Sequence, residues 1–313
     1  MRETYTAIFQ TLMRSTPAFR LALVAATAAA LAAIAAVSGP LHGQAGARER
    51  TLFVSALDER GEPVEGLGPE AFVIREDGLR REILRVSRAI EPIDIAILAD
   101  NSAAATSAVG PMRDGLRNFV ATMAADNPIA LVGLADRPTI LVDYTSNQER
   151  LRDGIGRLFP MGSSGMTLLE AIVEVSSGLG RRDAPRAAIV AVTTNGVEFT
   201  NRYSRDVIAA MTDANVALHA ITIGELGMFS TTERERALVL DRGTRETGGR
   251  HVTLLTDSAI DAALGKLARE LSSQYKIVYG RPESLLPPET TEVTSARPGV
   301  TMRGTPARGQ TGD

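Results

Sequence analysis

Residues 93–99 read Ile93-Asp94-Ile95-Ala96-Ile97-Leu98-Ala99, and the chain runs straight on into Asp100-Asn101-Ser102-Ala103-Ala104. Alternate side chains of a strand point to opposite faces of its sheet, so a near-continuous apolar run is what a strand covered on both faces requires. Ile129 to Leu134 and Ala187 to Val192 repeat the pattern, and Thr139 to Val142, Val216 to Ile223, His251 to Leu255 and Gln274 to Tyr279 are further strand candidates. Helical spacing lies between them, as at Leu116, Phe119, Val120 and Met123 within Pro111 to Ala125. Further helices are predicted over Thr167 to Leu179, Arg205 to Ala214, Thr232 to Thr247 and Asp257 to Ser272. Strand and helix alternating over short connections predict an α/β fold over residues 92–281, a doubly wound, mostly parallel sheet with Gln274 to Tyr279 as its last strand.

The flanks read differently. Residues 48–91 alternate in the manner of half-buried strands, with turn signals at Asp58 to Pro63 and at Glu76-Asp77-Gly78, and predict a small β-rich domain. That block is too short for a large core of its own, so it is expected to pack on its neighbour. Residues 282–304 form an extended segment in which Thr290 to Ser295 and Val300 to Arg303 make a hairpin about Pro298-Gly299, placed to return to the first block. Residues 305–313 read as a disordered tail.

At the other end, Arg14 and Arg20 precede an uncharged apolar stretch over 21–37, then the helix breakers Ser38-Gly39-Pro40 and the small-x-small pattern Ala45-Gly46-Ala47. Two readings stand. The first 47 residues are a signal peptide cleaved after Ala47, or an uncleaved signal anchor, for which the stretch is short and alanine-rich. The first makes the rest periplasmic or secreted. The second ties it to the inner membrane facing the periplasm, the membrane being contacted through that segment alone.

Composition narrows the function. The 313 residues carry 34 Lys+Arg against 37 Asp+Glu, a formal charge of −3 with the arginines interleaved among acids. A nucleic-acid partner needs a basic face, and none is indicated. The absence of cysteine excludes disulfides, thiolate metal sites and thiol catalysis.

Ligands of open α/β sheets sit beyond the carboxyl ends of the strands. Three stretches are expected to meet there: Asp100 to Ala104, Gly162-Ser163-Ser164-Gly165-Met166-Thr167, and Thr193-Thr194-Asn195-Gly196. In order and content these resemble the von Willebrand factor A family, whose metal-ion-dependent adhesion site is built from Asp-x-Ser-x-Ser, a threonine of a second loop, and the aspartate of a Thr-Asp-Gly turn. The resemblance spans roughly residues 92–280. It implies that Asp100, Ser102 and Thr167 are metal ligands, with Asn195 where the second aspartate is expected and Ala104 in place of the second serine. It further implies Mg²⁺, or Mn²⁺ or Ca²⁺, as the ion, and an exported protein-binding module whose docking rim includes Asn101, Ala104, Gly165, Gly196 and Glu198. The lead-in Asp58 to Val64, the segment Phe72 to Gly78 and the tail Gln274 to Tyr279 look like those of bacterial exported proteins labelled VWFA-related.

The two departures have a physical cost. Mg²⁺ wants six oxygens near octahedral geometry. Ala104 removes a hydroxyl, and Asn195 keeps an oxygen but loses a charge, so the expected site is degenerate, with the ion held weakly or not at all. Thr106, Ser107 or Glu198 are the nearby residues with a replacement oxygen to offer. The competing expectation is a structural or assembly component of the cell envelope with a vestigial site.

Catalytic residues are not indicated. Met166 stands where a phosphate loop needs lysine. No Gly-x-Ser-x-Gly elbow occurs, and His42, His219 and His251 lack partners at zinc-ligand spacing. Glu233-Arg234-Glu235-Arg236 reads as a solvated helix face.

Overall fold

The computed structural model describes residues 47–182, 184–225, 230–282, 286 and 288–307. The expected signal segment and nearly all of its cleavage pattern lie outside them. The strands are β1 (Ala47–Leu57), β2 (Phe72–Glu76), β3 (Leu79–Arg88), β4 (Ile93–Ala99), β5 (Ile129–Gly133), β6 (Thr139–Thr145), β7 (Arg186–Thr194), β8 (Ala217–Ile223), β9 (His251–Leu254), β10 (Tyr275–Pro282), β11 (Thr291–Ser295) and β12 (Thr301–Pro306). The main helices are α1 (Val109–Met123), α2 (Gln148–Gly156), α3 (Leu168–Gly180), α4 (Ser204–Asp213), α5 (Thr231–Leu238) and α6 (Ile260–Ser272).

The central sheet has the order β6-β5-β4-β7-β8-β9. Its pairings are parallel apart from β5 with β6. Every residue of β4 and of β7 is buried. The reason is visible in β4. Ile93, Ile95 and Ile97 join a core with α1, α2 and α6, while Ala96 and Leu98 join a second core with α3, α4 and Val239 and Leu240 of the turn after α5. Each fully buried aliphatic side chain contributes roughly 1.5–3 kcal/mol, so two apolar faces fix the strand at the centre of the sheet. Helix α2 was not foreseen: it is short and polar, buries Leu151 and Ile155 one turn apart, and starts at Asn147, whose side chain accepts from the Arg150 N–H.

A second sheet, antiparallel, has the order β11-β2-β3-β10-β1-β12 and draws its strands from both ends of the chain. The β2–β3 turn holds Asp77 and Gly78 at φ +49° and +78°, the left-handed pair that a tight hairpin demands. Strand β11 pairs with β2, and β12 with β1. The two edge strands approach where a Cβ on Gly304 would lie 2.9 Å from Val293 Cγ1.

Two expectations are corrected here. Gln274 to Tyr279 is not the last strand of the parallel sheet; β10 lies between β1 and β3 in the antiparallel one, with Ile277 opposite Leu52. Its own alternation explains this. Tyr275, Ile277 and Tyr279 face one core, while Lys276 turns outward to pair with Glu91. A strand of a doubly covered sheet has no room for such a lysine. The tail also starts later than residue 305: Thr305 and Pro306 belong to β12, and the Ala307 N–H donates to the Thr51 carbonyl. Residues 308–313 lie outside the described residues.

The two sheets join near the amino ends of the parallel strands. Arg186, the first residue of β7, donates to the carbonyls of Glu91 (2.7 Å) and Leu271 (2.9 Å) and to Gln274 Oε1 (2.7 Å). Its guanidinium also lies 5.1 Å from the centre of the Phe53 ring of β1. The carboxyl ends of the strands are thereby left at the opposite, open end.

Candidate functional site

Strand β4 ends at Ala99, which sets Asp100 at the sheet edge as a fully buried carboxylate. Its Oδ1 accepts from the Ser102 N–H (2.9 Å); its Oδ2 accepts from the Thr194 N–H (3.0 Å) and hydroxyl (2.5 Å) at the end of β7. Asp100 therefore ties the first loop to the third. Asn101 performs the same service for the second. Its Oδ1 accepts from the Leu134 and Ala135 N–H groups, its Nδ2 donates to the Phe159 carbonyl, and its own carbonyl accepts from the Met161 N–H. Backbone bonds complete the weave: Met166 donates to the Val197 carbonyl and Phe199 to that of Met166.

The three loops meet, and the candidate ligands are engaged there in different ways. The Thr167 hydroxyl donates to the Leu134 carbonyl (2.8 Å). Asn195 is exposed, and its carboxamide lies over Gly224, where a Cβ would have only 3.4 Å. Ser102 is buried with its hydroxyl unpartnered. Ala104 rests on Gly196, so closely that a Cβ there would come within 2.7 Å of its own, and the ring of Phe199 covers Gly165 in the same way (2.4 Å). Of the expected rim residues only Ala104 is exposed: Gly165 and Gly196 are buried, as are Asn101 and Glu198, the latter 1% exposed. Glu198 Oε1 accepts from the Leu169 N–H at the start of α3, a favourable end for a carboxylate, and Oε2 is unpartnered. Burial pushes the Glu198 carboxyl up to about 7; the Leu169 N–H and the Arg236 charge act against this, and Asp100 and Glu170 with it.

Arg236 was not anticipated. The Glu233–Arg236 run is not a solvated face. Glu233 closes a capping box with Ser230, Glu235 accepts from the Ser204 N–H at the start of α4, and only Arg234 is exposed. Arg236 is completely buried; its Nη1 donates to the Gly196 carbonyl (2.6 Å), while Nε and Nη2 are unpartnered. Burial holds its pKa below the ordinary arginine value, with Glu198, Glu233 and Asp100 pulling the other way. A signal for this was present: 236 shares a helical stripe with Val239 and Leu240, both buried.

These groups do not fit a hard dication. Both Asp100 oxygens are taken up by N–H and O–H donors, and a guanidinium lies under the third loop. Among the described residues no group of three or more His, Cys, Asp or Glu is arranged to hold a metal ion.

Comparison with known proteins agrees on the region. Residues 95–197 match the family model of the von Willebrand factor type A domain. Among solved structures, the vWF domain of the type V pili tip protein Mfa5 from Porphyromonas gingivalis is 13% identical, covers 58% of this chain and 96% of its own, and superposes with a TM-score of 0.45. Proximal thread matrix protein 1 of the mussel byssus gives 17% identity, 59% and 49% coverage and a TM-score of 0.47. A von Willebrand factor type A protein from Catenulispora acidiphila gives 12%, 85% and 75%, and 0.45. No curated protein sequence matches the chain.

Proposed function

Taking as premise that this chain carries a von Willebrand factor type A domain, we propose that it is an exported protein-binding module whose partner docks on the carboxyl-end rim of the parallel sheet, over a degenerate metal-ion-dependent adhesion site. One observation carries the proposal. Phe159, Met161, Val197, Phe199 and Tyr203 are between 48% and 61% exposed, and they lie on the second and third rim loops, which hydrogen-bond to each other. Single exposed apolar residues are ordinary; five on two joined loops make the kind of patch that marks a protein contact. The Asp100 oxygens and the Thr167 hydroxyl are meanwhile engaged by protein groups, so the affinity comes from apolar contact rather than from a partner carboxylate bridged by an ion. Export rests on the apolar stretch at 21–37 and the small-residue pattern after it.

Asp100→Ala is a poor test, because it unties the loops as well as emptying the site. Photo-crosslinking separates the two effects. A photoreactive phenylalanine placed at Val197 or Tyr203, in cells of the native host, is expected to give discrete adducts in the envelope fraction, with the same group at Leu84 on β3 giving none. Adducts confined to Leu84 would move the function to the antiparallel sheet and favour the assembly role.

A further inference from the structure

We infer that the Arg236 guanidinium is the resident cation of the rim, a covalently supplied positive charge beneath Gly196 in place of the metal ion that the resemblance implies. The inference rests on reading Asp100, Ser102 and Thr167 as remnants of a metal site, and on nothing about the partner.

A buried charge without compensation costs several kcal/mol, and a guanidinium is retained only where acceptors or opposite charges offset it. Arg236 is fully buried yet makes a single hydrogen bond, from Nη1 to the Gly196 carbonyl. Neutral acceptors therefore do not account for it. The opposite charges are three carboxylates: Glu198 acts on Arg236 most strongly, Glu233 of the capping box next, and Asp100 after it. The unpartnered polar atoms of this end of the sheet belong to the same small region, namely Arg236 Nε and Nη2, Glu198 Oε2 and Ser102 Oγ. Gly196 links them, since a Cβ on it would stand 3.4 Å from Ser102 Oγ while its carbonyl holds Arg236.

The charge balance follows. The Glu233 carboxylate is held at the start of α5 by the Ser230 N–H, so within the rim Arg236 sets one positive charge against Asp100 and Glu198 and leaves at most one net negative charge, too little to offset dehydration of a dication. The guanidinium does part of the structural work of an ion as well, because it fixes the third loop from below through Gly196. A metal holds such loops only when bound; Arg236 holds this one permanently. The rim is therefore set for docking whatever the divalent-cation concentration.

Two measurements test this. Mn²⁺ titrated into the full chain and followed by electron paramagnetic resonance is expected to remain free, and the melting temperature in millimolar Mn²⁺ to match that in an ionic-strength control. Stoichiometric Mn²⁺ binding overturns both this inference and the degenerate-site reading. The second is a thermal-melting comparison of R236M, R236K, E198Q and the R236M/E198Q pair. R236M is expected to melt roughly 10 °C lower, R236K to keep at least half of that difference, and E198Q to recover more in the R236M background than in the wild type. If R236M does not fold, recovery of folding in the double variant carries the inference, and its failure overturns it. R236K as damaging as R236M, or E198Q acting equally in both backgrounds, overturns the cation role while leaving the degenerate-site reading untouched.

Discussion

Two buried arginines sit at opposite ends of the parallel sheet, and they are held in different ways. Arg186, at the amino end of β7, gives three hydrogen bonds to neutral oxygens and rests against Phe53. Arg236, under the carboxyl ends, gives one, and relies on carboxylates it does not touch. The first is a clamp between the two sheets, specified by geometry. The second is a charge, specified by the field it sits in. Burial lowers the pKa of both, Arg186 to about 10, so burial alone does not tell them apart; the partners do.

The comparison can be broken most forcefully at the clamp. R186M keeps an unbranched apolar stem but removes the guanidinium, and with it the contact over Phe53 and the donors to three acceptors on Glu91, Leu271 and Gln274. Each such acceptor costs about 1–3 kcal/mol, partly relieved by relaxation, and a total near 4 kcal/mol is expected in urea denaturation. Rim crosslinking should be unchanged in the folded variant. A loss of rim adducts at full folding would mean that the two ends are coupled, contrary to the division drawn here.

The two ends are also expected to answer pH with opposite signs. His219, on β8 among Glu270, Arg250 and Arg303, is fully buried, and burial pushes it down to about 4. The unfolded chain takes up that proton near 6.5, so stability is full above this value and is lost as the pH falls toward 4. Glu198 is pushed up to about 7 against 4.5 unfolded, so its contribution is full below 4.5 and is lost as the pH rises through 7. Each amounts to about 3 kcal/mol, and the two largely cancel in the wild-type profile. Urea denaturation between pH 4.5 and 8 should reveal them separately: H219L gains on the wild type toward acid, and E198Q gains toward alkali. Profiles parallel to the wild type in both variants would refute the contrast.

The sheet was legible because its strands obey simple rules. Ile93 to Ala99 has to be covered on both faces, and the Asp77-Gly78 turn has little choice but a hairpin. Strand β10 was misplaced because it follows a helix at the spacing of the next parallel strand, while the counter-signal, one lysine in an aromatic alternation, is a single residue. The site was legible as three loops that meet. Its contents were not, since hydrogen bonds such as those of Asn101 and Asp100 depend on which way side chains turn, and sequence spacing does not set that. Arg236 was hidden by a different fault. A run of charges suggests solvent, yet a helix sorts its residues by face, and position 236 falls on the apolar one beside Val239 and Leu240.

The smallest effect expected is the most local. Thr194→Val keeps the shape of the β7 terminus and the Thr194 N–H bond to Asp100, and removes the hydroxyl that donates to Oδ2 at 2.5 Å and accepts from the Gly196 N–H at 3.3 Å. A hydrogen bond to a buried charged group contributes about 1.5–3 kcal/mol, so a loss near 2 kcal/mol in urea denaturation is expected. If the rim is organised by its own protein groups, that loss is the same with and without millimolar Mg²⁺, because no ion competes for the freed oxygen while Arg236 is present. A variant as stable as the wild type would show that Asp100 does not tie the loops. A variant rescued by Mg²⁺ would show that the carboxylate, once released, still prefers an ion, and would place the rim closer to a working metal site than to a permanently closed one.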